Sequence, residues 1–289
     1  MPIRAYAYAS DRIERMGSGR PTPDTWIQPL DDYLAWMRAA SRPASTQYQR
    51  SYHLRRFGHE TGSAPFDVTL DIMVEYLGSH EWGKSTQHAV RSKLRGFYGW
   101  AQLTGRMADN PAALLPSVAP PVGRPRPASD DALEEGIRGA DERVKLMLRL
   151  AAGAGLRCVE VAQVHTDDLV EDLEGWSLRV TGKGGRRRVV PLSRRLALEL
   201  RSIPSGYAFP GQVDGHLSAA YVSKLMSRVL PEGVTAHMLR HRFASRAYLG
   251  SGRDIRAVQE LLGHASVATT QVYTKVPDGA LRAGVEAAA

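Results

Sequence analysis

Apolar residues in the first third of the chain recur with the period of an amphipathic helix. The stripe of a first helix, predicted within residues 28–40, is formed by Leu30, Tyr33, Leu34 and Met37. The same period continues in three further segments, residues 45–62, 68–80 and 84–105. The pattern therefore predicts four helices within residues 28–115, preceded by a flexible polar lead over residues 1–27.

A proline-rich segment divides the chain. Residues 116–128 contain repeated X-Pro steps, which are unsuited to a helix or a central strand, so they are predicted to form an interdomain linker. In the second half, residues 129–289, apolar and polar residues alternate from Trp176 to Leu192 on both sides of a glycine-containing turn, as in a β-hairpin. The predicted fold is mainly α, with a four-helix first domain and a mixed α+β second domain that contains a small antiparallel sheet.

Length and charge fit two domains and a polyanionic partner. At 289 residues the chain exceeds the size at which single cores usually stop growing. The 38 basic and 30 acidic residues give a net charge of +8, which favours nucleic acid over acidic metabolites as a partner. Cys158 is the only cysteine, so neither an intramolecular disulfide nor a cysteine-based zinc cluster can form. A cytoplasmic location without membrane contact is expected, because no apolar run is long and uninterrupted.

The second half also contains five short motifs with candidate catalytic side chains. They are GLRCVE with Arg157 and Glu160, TGKGGRRR with Lys183, HMLRHR with His237, Arg240 and His241, LGH with His264, and TTQVYT with Tyr273. Each has a structural alternative when taken alone, since a turn lysine is usually solvated and a single tyrosine usually belongs to the core or surface. GKGG lacks the spacing of a phosphate-binding loop, and HMLRH lacks the glutamate of a zinc-binding HExxH motif.

Together and in this order, the motifs resemble those of the tyrosine recombinases, also called phage-type integrases, over about residues 125–276. The resemblance places the family's catalytic residues on Arg157, Lys183, His237, Arg240, His264 and Tyr273, with Glu160 and His241 in supporting positions. It implies a SAM-like core-DNA-binding domain in residues 28–115 and a catalytic domain with a C-terminal tail in residues 129–289. It also implies three partners: double-stranded DNA core sites for attachment or recombination, further copies of the chain in a homotetramer on synapsed DNA, and an accessory directionality factor.

The chemistry of these side chains suits phosphodiester cleavage without a metal, a cofactor or ATP. The guanidiniums of Arg157 and Arg240 can bind the non-bridging oxygens on which charge accumulates. Tyrosine is a weak nucleophile at neutral pH, so Tyr273 needs a proton acceptor, and His237 is suited to that role. The resulting 3′-phosphotyrosine conserves bond energy for rejoining. The resemblance assigns protonation of the leaving 5′-oxygen to Lys183, whereas Glu160 is expected to orient an arginine or histidine unless it is a plain surface glutamate.

A second set of basic residues is predicted to contact backbone phosphates. It comprises Arg124 and Arg126 in the linker and Arg186, Arg187 and Arg188 in a run without acids. The predicted function is site-specific DNA recombination, in the first instance by a phage or mobile-element integrase. Three alternatives are an Xer-type recombinase that resolves chromosome dimers, a catalytically inactive DNA-binding regulator and a type IB topoisomerase. The complete catalytic set argues against the regulator, and the two-domain layout argues against the topoisomerase.

Overall fold

The computed structural model describes residues 21–118, 126–182 and 185–263. The chain divides into two compact units, the first ending at Val122 and the second starting at Gly123, and each has its own apolar core. Over the described residues the fold is mainly α with a small antiparallel sheet, which confirms the predicted fold class. No helix in these three ranges is both long and apolar enough to cross a membrane.

Within residues 21–118 the first unit contains four helices: α1 (Asp24–Ala39), α2 (Ala44–Thr61), α3 (Leu70–Gly78) and α4 (Lys84–Leu103). The predicted stripe of α1 faces the core, together with Trp26. Helix α1 begins at Asp24, inside the predicted lead, because Trp26 is completely buried and its indole Nε1 donates to the backbone oxygen of Ser63 at 2.8 Å. The lead was therefore predicted four residues too long, since one buried aromatic extends the helix towards the N-terminus.

Aromatic rings hold the helices of the first unit together. Trp26 packs against Phe57 and Phe97 with ring centroids 5.9 and 5.4 Å apart. Tyr33 meets Phe97 edge-on at 5.4 Å. Each such pair adds roughly 0.5–1.5 kcal/mol beyond the burial of its area, so this cluster fixes the positions of α1, α2 and α4.

The second unit combines helices with the sheet. Its described helices are α5 (Asp130–Arg138), α6 (Glu142–Gly153), α7 (Cys158–Ala162), α8 (Arg194–Arg201), α9 (Ala219–Val229), α10 (Ala236–Gly250) and α11 (Ile255–Leu262). Its described strands are β1 (Leu169–Asp172), β2 (Gly175–Thr181), β3 (Arg187–Leu192) and β4 (Pro210–Val213). The first three strands form an antiparallel sheet in the order β1-β2-β3, and Thr181 pairs with Arg187 beside the hairpin turn. The predicted hairpin is confirmed, whereas β1 is an addition that the sequence did not predict.

Helix α6 is the apolar centre of the second unit and directs the chain into the site. Met147, Leu148 and Leu150 are completely buried. After α6 ends, Gly155 adopts a φ of +65°, and a Cβ at this position would lie 2.3 Å from the ring of Phe243. Only glycine satisfies both the left-handed backbone and this close approach. The resulting turn places the backbone oxygen of Gly155 towards α10 and leads directly into α7.

Candidate active site

One carboxylate lies at the centre of the candidate site. The side chain of Glu160, on α7, has no exposed surface. Its Oε2 accepts a hydrogen bond from the backbone N–H of Arg157 at 2.8 Å, and its Oε1 accepts one from Arg157 Nη1, also at 2.8 Å. Arg157 directly precedes α7, so the backbone bond also satisfies a donor at the helix N-terminus. Glu160 is therefore an internal residue and not the surface glutamate that the sequence left open.

Arg188, on β3, binds the same carboxylate through two nitrogens. Its Nη1 and Nη2 donate to Oε1 and Oε2 of Glu160 at 2.8 and 2.9 Å. Its Nε donates to the backbone oxygen of Leu261, in the last turn of α11, at 2.9 Å. Only 10% of the side chain is exposed. Arg188 was predicted to bind phosphate, but each of these three bonds goes to a protein oxygen.

The sequence did contain a signal for this placement of Arg188. In a strand, alternate residues face the same side. Val190 is completely buried and Val189 is exposed, so Arg188 shares the inward face with Val190 while Arg187 shares the outward face with Val189. The basic run is therefore divided between the two faces of β3, with Arg187 facing outward and Arg188 inward.

A third guanidinium completes the cluster. Arg240, on α10, is 1% exposed. Its Nη1 lies 3.6 Å from Glu160 Oε2 and donates a hydrogen bond to the backbone oxygen of Gly155. Its Nη2 donates to the backbone oxygen of Leu262 at 2.7 Å. Three arginines from α10, β3 and the residue before α7 thus meet at one carboxylate.

The arginines keep the buried carboxylate ionised. Burial by itself would raise the pKa of Glu160. The hydrogen bonds from Arg188 and from the backbone N–H of Arg157, with the charges of Arg188 and Arg240, outweigh burial and lower this pKa to about 2. The cluster therefore carries three positive charges against one negative charge at neutral pH, and its excess charge is positive.

Two histidines on α10 border the cluster. His237 and His241 stand one helical turn apart, with ring centroids separated by 4.4 Å. Burial lowers the pKa of His237 below its ordinary value, and the charges of Arg240 and Arg157 lower it further. Burial, followed by the charges of His237 and Arg240, lowers the pKa of His241 to about 4. Both rings are accordingly neutral at physiological pH, which is the form that accepts a proton.

The other predicted site residues fall into two groups. Arg126, Arg186 and Arg187 are exposed on the second unit. The predictions for Arg124, Lys183, His264 and Tyr273 lie outside the described residues. Among the residues that are described, no three His, Cys, Asp or Glu side chains are grouped as a metal site requires.

The sequence of this unit matches a known family. Residues 131–279, which include every predicted catalytic position, match the phage integrase family. The chain belongs to that family. A relative, the tyrosine recombinase XerC of Azotobacter vinelandii, is 34% identical over 275 residues, which cover 84% of this chain and 88% of the relative. The chain is therefore a tyrosine site-specific recombinase, as the motifs predicted.

Solved structures of recombinases have the same fold. A lambda integrase dimer bound to a COC′ core site is 19% identical with a TM-score of 0.69, and the match covers 85% of this chain and 76% of that one. The XerH recombinase bound to difH substrate is 20% identical with a TM-score of 0.64, covering 89% of this chain and 83% of that one. The fold assignment thus agrees with the sequence match.

Proposed function

We propose that this chain cuts and rejoins double-stranded DNA at specific core sites through a 3′-phosphotyrosine intermediate. Tyr273 Oη attacks the scissile phosphorus, so that the bond from Oη to phosphorus forms while the bond from phosphorus to the 5′-oxygen breaks. The observation that carries the proposal is the convergence of Arg157 and Arg240 on one buried carboxylate, with His237 close enough for the charges of both arginines to lower its pKa. Lys183 and Tyr273 belong to the same family-matched stretch of sequence.

The electrostatics of the cluster favour a phosphodiester substrate. Its excess positive charge attracts an anionic oxygen, and the attraction grows as charge accumulates in the transition state. Arg157 has 34% of its side chain exposed, so its guanidinium is accessible to a non-bridging oxygen. Arg240 contributes its charge from a buried position next to Glu160. The arrangement provides electrostatic stabilisation through side chains of the chain itself.

The protons can be balanced with residues of the same site. The Tyr273 phenol loses its proton as Oη attacks, and neutral His237 is the proposed acceptor. The depressed pKa of His237 supports this role, because an acceptor must be unprotonated at the working pH. Nearby guanidinium charge favours the phenolate form of a tyrosine. Lys183 is the proposed donor of the proton that the departing 5′-oxygen requires.

Basic surfaces on both units support DNA as the partner. Exposed Arg126, Arg186 and Arg187 are the proposed phosphate contacts of the second unit. In the first unit, burial lowers the pKa of Lys93, and the charge of Arg50 lowers it further. Burial, followed by the charges of Lys93 and Arg56, lowers the pKa of His53 to about 4. This crowding of positive charge on α2 and α4 supports a core-DNA-binding role for the first unit. Assembly as a homotetramer on two synapsed sites is part of the same proposal.

For the biological role we propose an Xer-type recombinase, which was the alternative to the integrase role predicted first. The support is the 34% identity to XerC over 88% of that relative. A resolvase for chromosome dimers acts on two copies of one site, because a dimer carries each site twice. An integrase joins two different sites, one from the element and one from the chromosome. The two roles therefore differ in the pair of sites that they need.

Covalent trapping tests the chemical proposal. The full chain is incubated with sheared DNA of its host, adducts are trapped by denaturation, and the attached DNA and peptide are identified. We expect the peptide that carries Tyr273, linked to a 3′-phosphate. Tyr273→Phe should bind DNA with unchanged affinity and yield no adduct, because only the nucleophilic oxygen is removed. An adduct in the Phe variant, or on another residue, contradicts the proposal.

The trapped sequence then tests the biological role. Two direct copies of it are placed on one plasmid, and the wild-type chain is added. Deletion of the DNA between identical copies supports the Xer-type role. Recombination that occurs only when one copy is replaced by a second, dissimilar trapped site supports the integrase role.

A further inference from the structure

Arg188 differs from its neighbours in where its side chain points. Arg186 and Arg187 are exposed, whereas Arg188 is directed inward beside the buried Val190. Its guanidinium makes two bonds to Glu160 and one to the backbone oxygen of Leu261. Arg188 therefore connects α7, through Glu160, with the end of α11, through Leu261.

The bond to Leu261 falls at a point where a helix needs partners. Leu261 and Leu262 are the last two residues of α11. The last carbonyls of a helix accept no hydrogen bond within the helix, because no further turn follows to supply the N–H donors. Arg188 Nε donates to the first of these carbonyls and Arg240 Nη2 to the second, at 2.9 and 2.7 Å. Positive charge is also favourable at this end of the helix dipole. Two arginines that contact Glu160 thus hold the C-terminus of α11.

The residue that follows α11, Gly263, lies directly against the side chain of Arg188. Gly263, which caps the helix, has a φ of +63°. A Cβ on it would lie 2.9 Å from Cδ and 3.3 Å from Nη1 of Arg188. Both the backbone conformation and the packing therefore require glycine here. His264, the next residue in the sequence, begins the stretch that leads to Tyr273.

We propose that Arg188 is a positioning residue, which ties the C-terminus of α11, and so the start of the segment carrying His264 and Tyr273, to the carboxylate that holds Arg157. This inference rests on the proposed function, because it assumes that Tyr273 is the nucleophile. It also separates Arg188 from Arg186 and Arg187: those two bind phosphate, whereas Arg188 sets the geometry in which a bound strand is cleaved.

The experiment compares Arg188→Ala and Arg188→Lys with the matched variant Arg187→Ala from the same strand. Binding of a duplex core site is measured at several salt concentrations, and single-turnover cleavage is measured at saturating DNA. For Arg188→Ala we expect affinity within about twofold of wild type, an unchanged salt slope, and cleavage slower by ~10²-fold, the scale of a small misplacement of reacting groups. For Arg187→Ala, which removes a proposed phosphate contact, we expect the opposite pattern in binding, a weaker affinity and a salt slope reduced by about 1.

Arg188→Lys separates geometry from charge. Lysine keeps the positive charge beside Glu160 but cannot bridge both carboxylate oxygens and the Leu261 carbonyl as the planar guanidinium does. We expect its cleavage to stay at least ~10-fold below wild type. If Arg188→Ala does not fold, this charge-retaining variant carries the comparison alone. Full cleavage by Arg188→Lys, or an Arg188→Ala whose only defect is a lower affinity and salt slope, overturns the proposal.

A third measurement tests the contact between Arg188 and α11 independently of cleavage. Amide hydrogen exchange of residues 255–262 should be faster in both Arg188 variants than in wild type, while exchange of α6 is unchanged. Gly263→Ala should raise exchange in the same peptide, because its Cβ displaces Arg188. Its effect should add only in part to that of Arg188→Ala, since both remove one contact and only the backbone strain of the alanine is independent of Arg188. The two proposals can fail separately. Absence of an adduct with the wild-type chain contradicts the proposed function, whereas unchanged exchange of α11 in the Arg188 variants contradicts the contact.

Discussion

Replacing Glu160 by Gln removes the negative charge that faces Arg157, Arg188 and Arg240 while keeping the side chain's size. The pKa of Glu160 is about 2 against an ordinary 4.5, and this difference corresponds to about 3 kcal/mol of stability carried by the ionised form. Removing one partner of a buried ion pair costs a similar amount, roughly 3–5 kcal/mol. We therefore expect Glu160→Gln to lower the unfolding free energy of the second unit by about 3 kcal/mol at neutral pH.

The loss should depend on pH in a defined direction. Because the folded-state pKa of Glu160 is depressed, its stabilising contribution is fully present above about pH 4.5 and disappears as the pH falls towards 2. The difference between wild type and Glu160→Gln should accordingly be constant from neutral pH down to about pH 5 and shrink below it. His241 also titrates in this range, with a pKa of about 4, but it is present in both proteins. Comparing the two proteins at each pH therefore isolates the carboxylate.

The assay must report on the second unit alone, because a two-unit chain need not unfold in one transition. Urea unfolding is monitored at several pH values through the hydrogen exchange of peptides from α6. Glu142→Gln is the matched control: its side chain is 82% exposed and pairs with Lys145 at the surface, so no measurable change in the unfolding free energy is expected. A loss below about 1 kcal/mol for Glu160→Gln, or a loss that does not shrink below pH 4.5, would refute the assignment of Glu160 as the ionised centre.

Two further predictions concern proton transfer. The first assumes that neutral His237 accepts the tyrosine proton. The cleavage rate at sub-saturating DNA, which reports on the free enzyme, should then fall at acid pH with a midpoint below pH 6.5, because the pKa of His237 is lowered. A midpoint above that value contradicts the role. If Lys183 protonates the leaving 5′-oxygen, Lys183→Ala should slow cleavage by about 10²- to 10⁴-fold, and a substrate with sulfur as the leaving atom should restore it. The same substrate should leave Arg157→Ala impaired, so equal rescue of both variants would place the proton donor elsewhere.

The helices were predictable because their burial follows a local period. The stripe from Leu30 to Met37 is visible in the sequence and lies in the core of the first unit. Strand β1 was not predictable, because it has only two apolar residues, Leu169 and Val170, and depends on pairing with β2. Strand pairing is a tertiary contact, so a short strand carries little information of its own.

Four described residues of the candidate site were predictable as neighbours, but their network was not. Motif spacing identified Arg157, Glu160, His237 and Arg240, which the structure brings together. The bonds from Arg188 and Arg240 to the last carbonyls of α11 join segments far apart in the chain, and backbone acceptors leave no mark in a motif. The inward face of Arg188 could have been predicted from strand alternation, whereas its partners could not.

The depressed pKa of Glu160 also decides what this residue can do in the reaction. With a pKa of about 2, only about one carboxylate in 10⁵ is protonated at neutral pH, so Glu160 is a poor proton donor. A low pKa equally makes it a weak base, and its oxygens already accept bonds from Arg157 and Arg188. Its remaining role is to hold guanidiniums that would otherwise repel one another. Acceptance of the tyrosine proton then needs a neutral base that is not engaged by these arginine bonds, and His237, whose pKa burial lowers below its ordinary value, is the proposed one.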